Sequence, residues 1–309
     1  MLNKFLLIIL IIFLLMNVVA YFHAAKFTRF DRSLNKTDAS HLSFLQKIQA
    51  VLFGVSNPRP ENLVTPAQPY ETIRLKSNKQ IECWLIKAAS SKGTVVLFHG
   101  YGGSKSSMLD KANVFLALGY NTLLVDFMGS GGSEGNQTTI GYYEVEEVKT
   151  CFDYLHNEGE KNIILFGTSM GAVAIMKAER DYKLNAQSII IECPFGRMLK
   201  TVQARFELMG IPSFPMANLL VFWGGFQNNF DAFAHNPTRY AKKIKCPTLL
   251  IYGAKDPKVS KGEIEKIYKK LKGKKKLIIY ENAGHDNYLD AYKAEWTADV
   301  KSFLEANNN

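Results

Sequence analysis

One serine stands where its surroundings could make it a nucleophile. Gly167-Thr168-Ser169-Met170-Gly171 follows the apolar run Ile163–Phe166 and opens the helical run Met170–Tyr182. A serine between a strand and a helix occupies a sharp turn that lifts its hydroxyl clear of the sheet. Gly167 and Gly171 suit such a turn because side chains there would collide across it. The helix start also aims the Met170 N–H and a positive dipole end at a developing oxyanion. Such a serine needs a base, and His285 in Glu281-Asn282-Ala283-Gly284-His285-Asp286 follows the last apolar run of the chain. An imidazole on that loop could take the serine proton near neutral pH.

The imidazole in turn needs a carboxylate to fix its tautomer and stabilise its cation. Asp256, in Tyr252-Gly253-Ala254-Lys255-Asp256-Pro257, follows the run Thr248–Tyr252 and is the first candidate; Glu192, ending the preceding run, is the alternative. Asp286 is set aside, because adjacent side chains on an extended backbone point apart. A second oxyanion donor is available in His99-Gly100-Tyr101-Gly102-Gly103, directly after Thr94–Phe98, with the Tyr101 N–H best placed. His99 reads as a residue that holds this loop by hydrogen bonds rather than by acid–base work. The loop lacks the GxxxxGK[ST] pattern of a phosphate cradle. Acting together, these groups would transfer an acyl group to water in the chain order Ser, Asp, His, with no metal or cofactor required.

The elements that must position them alternate. Runs Glu71–Lys76 and Ile81–Lys87 flank Ser77-Asn78-Lys79 and predict a hairpin. Buried-strand runs follow at Thr94–Phe98, Thr122–Phe127, Ile163–Phe166, Ser188–Ile191, Thr248–Tyr252 and Lys276–Tyr280. Amphipathic segments lie between most of them, at Ser106–Leu118, Tyr142–Asn157, Met170–Tyr182 and Lys261–Leu271, and Tyr288–Leu304 closes the chain. Such alternation predicts an α/β domain over 70–309, with a mostly parallel sheet covered on both faces and active residues at the carboxyl ends of strands. The segment 196–245 interrupts it and is rich in aromatics, among them Phe206, Phe214, Phe222, Trp223 and Phe226. A connection so long needs structure of its own, and it reads as a helical cap.

With these four motifs in place, the sequence resembles the α/β-hydrolase superfamily over roughly residues 70–307. Within it, the chain is similar to the monoglyceride-lipase-like and serine-aminopeptidase-like hydrolases. The stretch Asp126-Phe127-Met128-Gly129-Ser130-Gly131-Gly132-Ser133-Glu134-Gly135 matches their Gly-rich segment, with Met128 where many relatives carry Arg. The resemblance implies an eight-stranded, mostly parallel sheet and a cap inserted after the sixth strand. It also implies hydrolysis of a small-molecule acyl substrate: an acyl ester, a lysophospholipid or a thioester. A peptidase on small peptides would use the same triad, and a binding protein on a disabled hydrolase fold is a third, non-enzymatic reading.

The first 26 residues carry a different signal. Phe5–Ala25 has no formally charged residue and Phe5–Met16 is purely apolar, close to the ~20 residues that cross a bilayer as a helix. A membrane anchor is the preferred reading; a cleaved signal peptide, with Val18-Val19-Ala20 as the small-residue site and a secreted or periplasmic domain as the result, is the rival. Tyr21 and Phe22 suit an aromatic interface belt. Lys26, Arg29, Arg32 and Lys36 outweigh Lys4 and the α-amine, which opposes export by the positive-inside rule. Residues 27–69 then read as a juxtamembrane helix, with Leu42, Leu45, Ile48, Val51 and Leu52 at helical spacing, and a linker carrying Pro58, Pro60, Pro66 and Pro69.

The net charge of +10 is diffuse. The lysines of Lys258–Lys276 interleave with Glu263 and Glu265 as on a solvated helix face, which argues against a nucleic-acid partner. Cys83, Cys151, Cys193 and Cys246 show neither CxxC pairing nor metal-ligand spacing and read as buried thiols.

Overall fold

The computed structural model describes residues 2–34, 45, 49 and 52–307. Most of the helix read over Leu42–Leu52 therefore lies outside the described residues, as does Lys36. The chain divides into two compact units. Residues 60–197 and 236–309 form one; residues 1–59 and 198–235 form the other.

The larger unit is built on one eight-stranded sheet. Its strands are β1 (Tyr70–Lys76), β2 (Gln80–Ile86), β3 (Thr94–Phe98), β4 (Asn121–Val125), β5 (Ile163–Thr168), β6 (Ser188–Glu192), β7 (Thr248–Gly253) and β8 (Lys275–Tyr280). They lie in the order β8-β7-β6-β5-β3-β4-β2-β1. β2 runs antiparallel to both β1 and β4, and all other pairs are parallel. The expected hairpin is thus the antiparallel edge of an otherwise parallel sheet. Strands β3, β6 and β7 are buried at every position, which is why their sequences read as unbroken apolar runs rather than alternation.

Among the described residues, five helices of nine or more residues accompany the sheet: α2 (Leu109–Ala117), α3 (Glu144–Asn157), α4 (Met170–Tyr182), α7 (Lys261–Lys270) and α8 (Lys293–Glu305); α1, α5 and α6 belong to the other unit. Phe115 of α2 and Trp296 of α8 meet Phe166 of β5 edge to face, with ring centroids 5.6–6.0 Å apart. Buried aromatics of this kind anchor helix to strand through large apolar area and directed ring contacts. The final helix expected as one run over Tyr288–Leu304 is instead a short turn at Tyr288–Ala291 followed by α8, broken at Tyr292. Tyr288 and Tyr292 explain the break. Their hydroxyls accept from the Gly253 and Asn282 amides at 3.0 and 3.1 Å, so the chain is held to the strand ends instead of continuing its helix.

The smaller unit contains α1 (Leu2–Thr28), α5 (Met198–Leu208) and α6 (Met216–Gln227). Asn57-Pro58 pairs in parallel with Phe30-Asp31, in keeping with a non-helical linker there. α1 is long and apolar enough to cross a membrane. Within the 196–245 segment, α5 and α6 are the longer helices. All four cysteines are free thiols; Cys83, Cys151 and Cys193 are buried, whereas Cys246, read as buried, is only partly so.

Candidate active site

Five strand ends set the stage. Register pairs Phe98 with Gly167, Thr168 with Glu192, and Gly253 with Tyr280, so the loops after β3, β5, β6, β7 and β8 emerge along one edge. Between β3 and β5 the chain order reverses, because β4 lies on the far side of β3. Such a switch point opens a crevice beyond the carboxyl ends of the strands.

Ser169 sits at the turn from β5 into α4 with φ 49° and ψ −107°. A non-glycine residue rarely adopts this conformation, and the surroundings enforce it. The Ser169 N–H donates to the Glu192 carbonyl at 2.8 Å, and the Ser169 carbonyl accepts from Val173 N–H at 3.1 Å. A Cβ on Gly167 would come within 2.6 Å of the Gly171 backbone, and one on Gly171 within 2.3 Å of the Phe98 carbonyl oxygen. Both glycines therefore let the turn close against itself and against β3. Met170, at the first position of α4, is buried, and its sulfur accepts from Thr138 Oγ1 at 3.2 Å.

The structure brings the three sequence-predicted residues into a hydrogen-bonded row. Ser169 Oγ lies 3.1 Å from His285 Nε2, and His285 Nδ1 lies 2.7 Å from Asp256 Oδ2. Asp256 Oδ1 accepts from the Lys258 and Val259 amides at 2.7 and 2.9 Å, which fixes the carboxylate plane. The Asp256 and His285 loops are laced together. Ala254 N–H donates to Tyr280 O at 3.0 Å and Lys255 N–H to Ala283 O at 2.9 Å. Burial pushes the His285 imidazolium down, but its bonds to Asp256 and the neighbouring Cys193 overcome this and raise its pKa to about 10. The pair thus favours the imidazolium, the form the ring takes on receiving a serine proton.

Glu192 does not join this row. Its Oε1 accepts from Trp296 Nε1 at 2.6 Å, and Lys111 Nζ lies 4.0 Å from its Oε2. Burial raises its pKa, against the opposing pull of Lys111 and Trp296. Asp286, as anticipated, turns away and accepts from the Gly284 amide at 3.0 Å.

The loop after β3 lies against the serine turn. A Cβ added to Gly100 would sit 3.6 Å from Ser169 Cβ. Gly103 N–H donates to Gly100 O at 3.1 Å, and Gly102 takes φ 72°, which shapes the tight turn around Tyr101. His99 is fully buried, with Nδ1 2.8 Å from Gly100 O and Nε2 accepting from Phe127 N–H at 3.1 Å. Those partners assign the neutral Nδ1–H tautomer, and burial lowers its pKa accordingly. Beyond the loop, fully buried Lys105 pairs with Asp126 and, at 3.0 Å, with Glu82, which ties the loop to the Gly-rich stretch that begins at Asp126. Met128 is buried there, its N–H donating to Glu147 Oε2 at 2.9 Å.

Sequence reasoning missed Cys193. Its sulfur, with one atom each of Asp256 and His285, forms a trio lying within 4.8 Å of one another, which has metal-ligand chemistry. The Asp256 and His285 atoms already bond each other. A lone cysteine after a strand carries no spacing signal that would have revealed this.

Comparisons with known proteins agree with this architecture. The family model described as serine aminopeptidase, S33, matches residues 89–242, and the dienelactone hydrolase family model matches residues 203–302. The uncharacterized protein YqkD of Bacillus subtilis is 28% identical over 223 residues, covering 70% of this chain and 72% of its own. The lysophosphatidylserine lipase ABHD12 of Danio rerio is 25% identical over 279 residues, which are 86% of this chain but 64% of that protein. Among solved structures, the Pyrococcus furiosus esterase Pf2001 superposes with a TM-score of 0.66 at 25% identity, covering 81% of this chain and 98% of the esterase. An eight-stranded sheet with one reversed strand, a serine turn between its middle strand and the following helix, and two hydrolase family matches lead to one assignment: this chain belongs to the α/β-hydrolase superfamily.

Proposed function

We propose that the chain is a membrane-anchored serine hydrolase that cleaves carboxylic acyl esters. The observation that carries this reading is the row from Asp256 Oδ2 through His285 to Ser169 Oγ, with spacings of 2.7 and 3.1 Å. Ser169 attacks the acyl carbon while His285 Nε2 takes its proton. Asp256 holds the ring and stabilises the imidazolium. The Met170 and Tyr101 amides hold the oxyanion, and His285 returns the proton to the leaving alcohol. Water, activated by the same imidazole, then frees the acyl group from Ser169.

Esters lead because the similar proteins whose names state an activity include an esterase and a lysophosphatidylserine lipase. A lysophospholipid is accordingly a candidate substrate. Amide cleavage is the second reading, favoured by the serine aminopeptidase name of one matching family. An aminopeptidase needs a carboxylate to receive the substrate ammonium. Three acidic groups of the neighbouring segments are already engaged: Glu192 by Trp296 and Lys111, Asp286 by Gly284, and Asp110 by Asn287.

The anchor reading gains support from α1 itself. Its residues Asn17, Tyr21 and Thr28 bond Trp223, Gln227 and Asn228. A cleaved leader has no reason to dock onto the mature chain. A panel of graded p-nitrophenyl esters, lysophospholipids and aminoacyl amides tests the assignment. Turnover of esters with slow amide cleavage is the expected result; rapid amide cleavage with uniformly poor ester turnover overturns it.

A further inference from the structure

The smaller unit carries a second apolar feature, distinct from α1. From Leu208 to Phe230 the chain has no charged residue. This stretch leaves α5, turns through Met209–Pro215 and returns as α6. Its large side chains are turned outward: Phe214 is 75% exposed, Phe226 68% and Met209 61%, with Leu208, Ile211 and Phe222 near half. An aqueous surface rarely displays so much contiguous apolar area without a partner.

The pairing of α6 with α1 identifies the partner. Trp223 Nε1 donates to Asn17 Oδ1 at 3.1 Å, and Gln227 Nε2 donates to the Tyr21 carbonyl at 2.8 Å. Both pairs are separated by 206 residues, so the two helices run parallel and in step. The same offset sets Met216 level with Leu10, about 17 Å along α1 from Tyr21 at 1.5 Å per residue. That is about half the ~30 Å hydrocarbon thickness.

The contact also has the composition of helix packing in lipid. Ala20 and Ala24 are the buried positions of α1 between Val19 and Ala25, and Ala217, Val221 and Gly225 form the buried stripe of α6. Small residues of this kind let helices approach closely where no hydrophobic drive exists between them. Asn17, the polar interruption in the apolar stretch of α1, is satisfied twice. Its Nδ2 donates to Phe13 O at 2.9 Å, and its Oδ1 accepts from Trp223. Five of the seven residues in the connecting loop Met209–Pro215 leave no N–H unpaired. Pro212 and Pro215 have no N–H to satisfy, and the Met209, Gly210 and Ile211 amides bond back to Phe206 and Glu207 carbonyls at 3.0–3.1 Å. Backbone at membrane depth requires such internal satisfaction.

We propose that the α5–α6 hairpin is a second, re-entrant membrane element. It would enter the bilayer beside α1 with its tip, Met209–Pro215, among the acyl chains, and with Arg205 packed on the Phe27 ring 4.1 Å away at the headgroup level. Its occupant is bilayer lipid. This inference rests on the anchor reading of α1 and extends it to a segment no apolar-length criterion selects.

Depth-dependent quenching tests it in the full chain. Phe214→Cys and Phe226→Cys, each in a Cys246→Ser background, carry an environment-sensitive fluorophore. The protein is placed in phosphatidylcholine–phosphatidylglycerol vesicles containing acyl-chain nitroxide lipids. Leu10→Cys reports on α1, and Lys301→Cys, on an exposed turn of α8, reports on solvent. Phe222→Cys replaces either hairpin variant whose circular dichroism melt departs from the parent. The expected result is loss of fluorescence at Phe214 comparable to that at Leu10, a smaller loss at Phe226, which lies level with Ala20 nearer the headgroups, and none at Lys301. Quenching at Leu10 alone overturns the hairpin while keeping the anchor. No quenching at Leu10 or the hairpin overturns both. Unquenched hairpin positions that cross-link to a second chain assign the face to a partner copy and likewise overturn the proposal.

Discussion

Glu192 and Asp256 follow the same rule of placement and meet different fates. Each stands at or just beyond the carboxyl end of a central parallel strand, β6 or β7, and either could have faced the imidazole of His285. Asp256 is three residues past its strand, in a turn whose amides at Lys258 and Val259 hold one oxygen and leave the other for His285 Nδ1. Glu192 is the last residue of its strand, still in register with Ile251. Its side chain is taken up by the indole of Trp296 and by Lys111. The difference is one of freedom from the sheet. A carboxylate within a strand points into the packing of a face, whereas one in the following turn can be oriented by backbone donors toward the edge where chemistry happens.

The largest effect should come from Asp256. Replacing it with Asn leaves the shape but offers His285 an amide that cannot stabilise the imidazolium, and kcat should fall by roughly 10^4. Glu192→Gln should leave kcat within a few-fold of the parent on the same p-nitrophenyl ester. Equal losses in the two variants would erase the distinction drawn between them.

A pH profile sharpens the same contrast. Bonds to Asp256 and Cys193 hold His285 protonated up to about 10, above its ordinary 6.5, and in the proposed mechanism the imidazole acts as base only when neutral. The ester kcat/KM should therefore climb with pH through the neutral range and into the alkaline, and Asp256→Asn should move this limb down toward 6.5 while lowering its plateau. The sign for stability is the reverse. A raised histidine pKa stabilises the fold fully below about 6.5, and this contribution is lost as pH rises through about 10. Glu192→Gln should leave the kinetic limb where it is.

Stability is where Glu192 should show itself. Removing its charge leaves buried Lys111 with Asp110 and Asn287 alone, for a loss of about 1–3 kcal/mol in urea unfolding at pH 7. A third buried carboxylate completes the series. Among the described residues Glu179 on α4 has no cation and its Oε1 no partner, and burial raises its pKa to about 7. It costs stability as pH rises from about 4.5, its value when unfolded, to about 7, because only the unfolded chain then ionises it freely. Glu179→Gln should raise stability by about 1–2 kcal/mol at pH 8 and leave it unchanged near pH 4. A gain that is independent of pH would contradict this account of the group.

Much of this architecture was legible because its signals are local. The middle strands β3, β6 and β7 are buried on both faces, so each appears as a short unbroken apolar run. Ser169, Asp256 and His285 each follow such a run, and strand order then brings them to one edge. Contacts between distant positions left no such trace. Trp296 meets Glu192 across 104 residues, and Trp223 meets Asn17 across 206. No periodicity encodes either pairing. Cys193 reached the imidazole through the backbone turn after β6, where its φ is 40°, a conformation that its residue type does not announce. The break at Tyr292 has the same origin. Two tyrosine hydroxyls serving strand-end amides outweigh a helical pattern that continues through them.

The central claim is that Ser169 is the nucleophile. Treating the full chain with a fluorophosphonate and mapping the adduct by peptide mass spectrometry tests it most directly. The account predicts a single adduct on the peptide containing Ser169, absent from Ser169→Ala and formed much more slowly in Asp256→Asn. Unchanged labelling or unchanged ester hydrolysis in Ser169→Ala would contradict it.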